Sequence, residues 1–358
     1  MTFRKLFGTA ITLGLAVTAA SGSTLEAPAG FTIETLNFEV PNARQMALSD
    51  NGTLYVGTRR KGVVYAVPEA LTTAAPEVVE IASGLKMPSG IALKNGHLYI
   101  GALNKIIRIN DVDRDFSNAD REVITQSLPD KRHHGWKYLK FGPDGLLYVP
   151  VGAPCNICLS KDPRFASILT LDIETGQTDI WAHGVRNTVG FDWHPVSGAL
   201  WFSDNGRDQL GDDRPPEEIN VSTQRGQHFG YPFVHGDDIG DPKFGTHSAR
   251  PAEHVGPRIK IQAHSAALGI DFYEADSFPE VYQHALFIAE HGSWNRSSKV
   301  GYQVSVIMKD ETYRPFVTGW LSGENASGRP NDVLITHRGD LLISDDQQGV
   351  IYRVRYAG

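Results

Sequence analysis

The chain has 358 residues, 36 of them Gly and 20 Pro, only two Cys, and a formal net charge of -7. With no block of basic residues, that charge argues against a nucleic-acid partner. The Gly and Pro content suits many short strands joined by turns, and the length is within reach of one closed all-β domain.

The first residues read as a targeting segment. Arg4 and Lys5 precede an apolar run from Leu6 to Ala20, and Val17-Thr18-Ala19 or Thr18-Ala19-Ala20 offers a small-residue cleavage site. The run is shorter than the ~20 residues a membrane-spanning helix needs, and no later segment is apolar enough to cross. The expectation is a signal peptide over residues 1–20 and an exported, periplasmic or secreted chain without a membrane span.

One short phrase then recurs about every fifty residues. It reads MALSDNGTLYVGT from Met46, GIALKNGHLYIGA from Gly90, YLKFGPDGLLYVPVG from Tyr138, GFDWHPVSGALWFSD from Gly190 and DVLITHRGDLLISDD from Asp332. A looser copy starts at Gly269. Each is an apolar strand, a turn whose Gly can take positive φ, and a second apolar strand, the pattern of a hairpin. Further strands follow as GVVYAV from Gly62, KIIRI from Lys105, SILTLDI from Ser167 and GVIYRV from Gly349.

A sheet of three or four strands cannot bury its face alone, so six such units must stack, and stacking around an axis protects their edges. The predicted fold is all-β, a six-bladed β-propeller with four-stranded antiparallel blades, forming one catalytic domain over residues 25–358. The last unit supplies three strands, and FTIETLNFEV from Phe31 is the expected fourth, closing the ring. Cys155 and Cys158, in APCNICLS after the third hairpin, read as a local disulfide in an oxidising compartment. Neither a second CxxC for zinc nor a His after Cys158 for covalent haem is present.

The segments leading into the innermost strands should gather on one rim of the channel. RHHGWK, HGVRNT, AHSAAL and SGRPND, ahead of the third to sixth hairpins, are polar. PNARQM and LKMPSG, ahead of the first two, read as plainer. The expectation is one site, biased to the arc of blades three to six.

HHGWKYLKFGPDGLLYVPVG, GVRNTVGFDWHP, SDNGRDQLGDDRPPEEIN with GQHFGYP, and GRPNDV, in that order, resemble the soluble pyrroloquinoline quinone (PQQ) dependent sugar and sorbosone dehydrogenases. The resemblance implies an oxidoreductase that transfers hydride from a sugar, or a related alcohol or aldehyde hydrate, to PQQ held by calcium. It implies an external electron acceptor as well. By position in the motifs, His134 is the general base, with His133 where relatives can carry an acid. Arg186 and Asn187 match a quinone-contacting pair, followed by Val189 in place of an amide, and Arg329 and Asn331 match a clamp on the quinone carboxylates. Main-chain oxygens of Gly206 and Arg207 match calcium ligands, the Arg207 side chain is a further candidate for the quinone, and Glu217 with Glu218 resembles a second calcium site. His264, Glu290, His291, Trp294 and Arg296 are weaker rim candidates. Two other functions fit a propeller of this kind: a calcium-dependent lactonase-type hydrolase, which would need Glu, Asn and Asp converging on the channel, and a non-catalytic ligand-binding propeller.

Overall fold

The computed structural model describes residues 25–116 and 119–358, so the predicted signal peptide lies outside the described residues. Six antiparallel sheets surround an axis. Blade one comprises Ala43–Leu48, Leu54–Thr58, Val64–Val67 and Val79–Ala82, and blade two Gly90–Lys94, His97–Gly101, Ile106–Ile109 and Arg121–Thr125. Blade three comprises Lys140–Phe141, Leu147–Val151, Ser167–Leu171 and Thr178–His183, with Gln227–His228 added in parallel at its outer edge. Blade four comprises Phe191–Trp193, Leu200–Asp204, Glu217–Ser222 and Ile259–Ile261, and blade five Ala267–Phe272, Leu286–Glu290, Gln303–Ile307 and Tyr313–Val317. Blade six joins Pro330–Ile335, Leu341–Asp345 and Val350–Tyr356 to Phe31–Thr35, whose register runs from Phe31 opposite Tyr356 to Thr35 opposite Tyr352. The ring therefore closes by the predicted strand.

Alternation along each strand sends its apolar residues to both faces, and each interblade space becomes a small core. Tyr55 and Val64 of blade one meet Ile91 and Leu98 of blade two, and Tyr148 of blade three meets Phe191 and Phe202 of blade four. At the closure, Phe31 packs edge-on against Phe278 and Phe316 with ring centroids 4.7 and 5.0 Å apart. Such aromatic pairs add about 0.5–1.5 kcal/mol each beyond their buried area, which favours the closed ring.

The axis is filled by polar side chains that stitch one blade to another. Gln45 Oε1 accepts the amides of Ile91 and Leu139, each at 2.9 Å. Asp192 takes the amide of Phe272, Asp271 that of Ile335, and Asp332 that of Met46. Lys140 lies 2.6 Å from Asp192 and 2.8 Å from Asp271. Burial opposes its charge, but those two carboxylates outweigh it and hold the ammonium protonated. No helix among the described residues is long and apolar enough to cross a membrane.

Candidate active site

Above this plug the segments leading into the innermost strands enclose a cavity of about 690 Å³. His134, Arg186, Asn187, Gly206, Glu217, His264, His291, Trp294 and Arg329 line it together. They come from the connections of blades three to six, as expected.

His134 is 9% exposed and adopts φ 49°, a left-handed conformation that costs energy outside Gly and recurs at functional sites. Its Nδ1 lies 2.9 Å from the carbonyl oxygen of Ala153. A carbonyl can only accept, so Nδ1 carries the hydrogen and Nε2 keeps its lone pair. Burial, then Arg186 and His133, hold the pKa well below the usual imidazole value, so the ring is neutral at neutral pH. Trp136 stands edge-on to it, with ring centroids 5.8 Å apart. The backbone passes close behind: a Cβ on Gly152 would fall 2.5 Å from the Cβ of His134.

Arg186 is anchored by the loop between the two cysteines. Cys155 and Cys158 are bonded, and the intervening Asn156 accepts from Arg186 Nε through its main-chain oxygen at 3.0 Å and from Nη2 through Oδ1 at 2.9 Å. Arg186 Nη1 donates to Asn205 O, and Nη2 lies 3.4 Å from Asp208. Asp204 fixes the main chain by accepting the amides of Arg186 and Asn187. Arg329 donates to the carbonyls of His291 and Gly292 and lies over the Tyr302 ring.

Four placements differ from expectation. Arg207 turns away from the cavity and pairs with Asp241 at 2.5 Å, while His235 meets the same carboxylate at 3.0 Å, so its side chain is structural. Glu217 and Glu218 are neighbours in a strand and therefore point to opposite faces. Glu217 faces the cavity and accepts the amides of Gly206 and Ala266, whereas Glu218 accepts that of Gly236 and the Asn220 side chain. Asn331 is buried off the cavity, so Arg329 lacks its expected partner there. Blade one, read as plain, supplies Arg44, Arg59 and Arg60, and blade two Met87.

The sequence signals for those arginines were present, in PNARQM and in the run TRRKG. Arg44 is 3% exposed and lies 3.1 Å from Asp346, which also binds His291. Arg59 rests its guanidinium 3.9 Å from the Trp136 ring centroid. Burial lowers the pKa of both arginines, that of Arg59 to about 10. The Nε atoms of Arg44 and Arg59 are buried without a hydrogen-bond partner among the described residues. A buried guanidinium lacking an acceptor costs free energy unless a ligand oxygen supplies one.

The weaker rim candidates divide. His291 and Trp294 line the cavity, with Trp294 74% exposed at its mouth. Glu290 is buried against Tyr313 and Gln303 instead. Arg296 reaches Asp212 and Asp213, and Asn295 accepts the amide of Gln209, so the loops after blade four's second strand and blade five's second strand are laced together. His264 lies 2.8 Å from the carbonyl oxygen of Gly211 in the first of these loops.

Fold and rim together define a six-bladed propeller with a cationic axial cavity built around one neutral, oriented histidine. The chain belongs to the Glucose / Sorbosone dehydrogenase family, whose sequence model matches residues 95–295. A second model, TrAA12-like, matches residues 246–357. An uncharacterized protein of Borreliella burgdorferi is 35% identical over 353 residues, spanning 93% of this chain and 91% of that one. Among solved structures, the holo PQQ domain of pyranose dehydrogenase from Coprinopsis cinerea superposes with a TM-score of 0.76 at 18% identity, covering 93% of this chain and 97% of that one. The PQQ-bound aldose sugar dehydrogenase of Streptomyces coelicolor gives 0.65 at 17% identity over 92% and 99%. The apo soluble aldose sugar dehydrogenase of Escherichia coli gives 0.67 at 19% identity over 91% and 99%. At these identities the structures speak for the fold.

The side chains suit a planar polyanion such as PQQ, because Arg44, Arg186 and Arg329 line the cavity together. They build no carboxylate cage for calcium. Among the described residues no group of three or more His, Cys, Asp or Glu side chains is placed to hold a metal ion. Oxygen ligation there would fall to main-chain carbonyls near Gly206, with Glu217 beside them.

Proposed function

We propose that this chain is an exported quinoprotein dehydrogenase that oxidises a sugar, or a related alcohol or aldehyde hydrate, with His134 as general base. The observation that carries the reading is the fixed tautomer of His134 inside an arginine-lined cavity. Bound PQQ would supply a two-electron acceptor for hydride. Arg44 and Arg329 would hold its carboxylates, and Arg186 with Asn187 would face its ring oxygens.

The chain's own part is to orient and to move a proton. Nε2 of His134, its lone pair kept free by the Ala153 bond, takes the proton of the hydroxyl on the carbon being oxidised. Burial and the neighbouring positive charge of Arg186 keep that nitrogen unprotonated before substrate arrives. The laced loops and Trp294 would cover the mouth and limit water. Electrons then leave to an external acceptor, and calcium is assigned here to main-chain oxygens near Gly206. Export rests on Arg4, Lys5 and the apolar run to Ala20, and on the bonded Cys155 and Cys158.

A hydrolase reading would need Glu, Asn and Asp free to converge on a metal; Asn187, Asn205, Asp208 and Glu217 line the cavity, but Arg186 engages Asn205 and Asp208, and Glu217 accepts the amides of Gly206 and Ala266. The test is calorimetric titration of purified protein with PQQ and calcium, followed by dye reduction with aldoses, sorbosone and simple alcohols. Tight quinone binding with sugar-dependent reduction is expected; lactone hydrolysis without quinone would overturn the assignment.

A further inference from the structure

The cavity holds more positive charge than the quinone reading needs, and the excess lies on one flank. Arg44 is paired with Asp346 and Arg186 with Asp208. Arg59, Arg60 and Arg132 also line the cavity and have no carboxylate partner among the described residues. They line the cavity with His133, His134 and Trp136, and Arg44, itself held by Asp346, borders them with its guanidinium 6.0 Å from the Trp136 ring centroid.

Their placement is fixed. Asn42 Oδ1 accepts the amides of Arg59, Arg60 and Lys61, which pins the turn between the second and third strands of blade one. Arg59 then lies 3.9 Å from the Trp136 centroid, and the Trp136 ring lies 5.8 Å from that of His134. A sugar whose reacting hydroxyl reaches Nε2 of His134 therefore presents another part of its ring or tail to this guanidinium. Mixed donors and acceptors suited to a neutral hexose come from the segments of blade four, as Asn187, Asn205, Asp208 and Glu217, rather than from the turn that carries Arg59 and Arg60. Guanidinium forks without counter-ions match carboxylate and phosphate oxygens instead.

Building on the dehydrogenase reading, we infer that the preferred substrate is a sugar bearing an acidic substituent, a carboxylate or a phosphate ester, received by Arg59 with Arg60 and Arg132 beside it. The acidic group stays unchanged in the reaction and serves to place the ring.

The experiment compares D-glucuronate, D-galacturonate, glucose 6-phosphate and glucose in PQQ- and calcium-loaded protein, and repeats the series with Arg59→Gln and Arg60→Gln after thermal melting has shown each variant folded. At least a tenfold higher kcat/KM is expected for one acidic sugar over glucose, shrinking as salt is raised, because screening weakens exposed charge pairs. The uronates and the phosphate tell the two acidic groups apart. Arg59→Gln should raise KM for the acidic sugar about tenfold, the loss of one charge-assisted contact. Equal rates for glucose and the acidic sugars, with quinone binding intact, would overturn the inference and leave the dehydrogenase standing. Loss of quinone affinity in Arg59→Gln without a change in sugar preference would also overturn it, by placing that flank in the cofactor site. If PQQ does not bind, calorimetry of D-glucuronate against glucose on the protein alone decides: binding of the acid only supports the acidic-sugar site, and binding of both or neither overturns it.

Discussion

The polar plug on the axis and the cavity above it are built from the same innermost strands and their lead-in segments, yet they treat charge oppositely. In the plug, Lys140 sits between Asp192 and Asp271, and both carboxylates also accept amides from the next blade. In the cavity, buried guanidinium nitrogens of Arg44 and Arg59 have no partner among the described residues. The plug's cation is balanced by two carboxylates, whereas Arg59, Arg60 and Arg132 on the cavity wall have no ion-pair partner among the described residues.

This contrast can be broken most sharply at His134. His134→Ala should lower dye reduction by about 10²- to 10⁴-fold, the range for losing a general base, while the melting midpoint and PQQ affinity stay near those of the parent. Loss of quinone binding in this variant would move His134 from chemistry to cofactor support. The converse is Lys140→Met, which leaves two buried carboxylates facing each other and should cost about 3–5 kcal/mol in chemical denaturation. Unchanged stability would mean that the plug is not a structural ion-pair network.

Gly152→Ala probes the join between the two regions. The added Cβ meets the Cβ and carbonyl oxygen of His134 at 2.5 and 2.9 Å, so the imidazole must shift, and kcat should fall by up to about 10²-fold with little change in quinone affinity. Arg44→Gln should weaken PQQ binding by about tenfold or more in calorimetry, because a hydrogen bond to a charged group is worth about 1.5–3 kcal/mol. The smallest effect is in pH. Because the His134 pKa lies below the ordinary value of 6.5, the neutral base persists as pH falls through 6.5. The acid limb of kcat/KM is therefore expected below that pH; a limb centred at or above 6.5 would contradict the burial argument.

The fold was legible because its signal is local. A hairpin, its turn Gly and its alternating apolar residues lie within about fifteen residues, and six copies repeat the message. His134, Arg186 and Arg329 were legible through motifs around them. Arg59 was not, because its meaning depends on Trp136, a residue two blades away, and no local pattern encodes that stacking. Asn156 was hidden in the same way, as a middle residue of a short cysteine loop. Glu217 and Glu218 show a different limit: the motif resembled a family calcium site, while strand alternation turns the two side chains to opposite faces. Two neighbouring carboxylates in a strand are a weak metal signal for that reason alone.

The bond between Cys155 and Cys158 reaches further than the loop it closes. Asn156 between them receives two of the hydrogen bonds that aim Arg186, so the bond between two sulfur atoms helps hold a cation of the cavity wall. Whether that bond is formed is therefore a variable in any calorimetric test of PQQ binding.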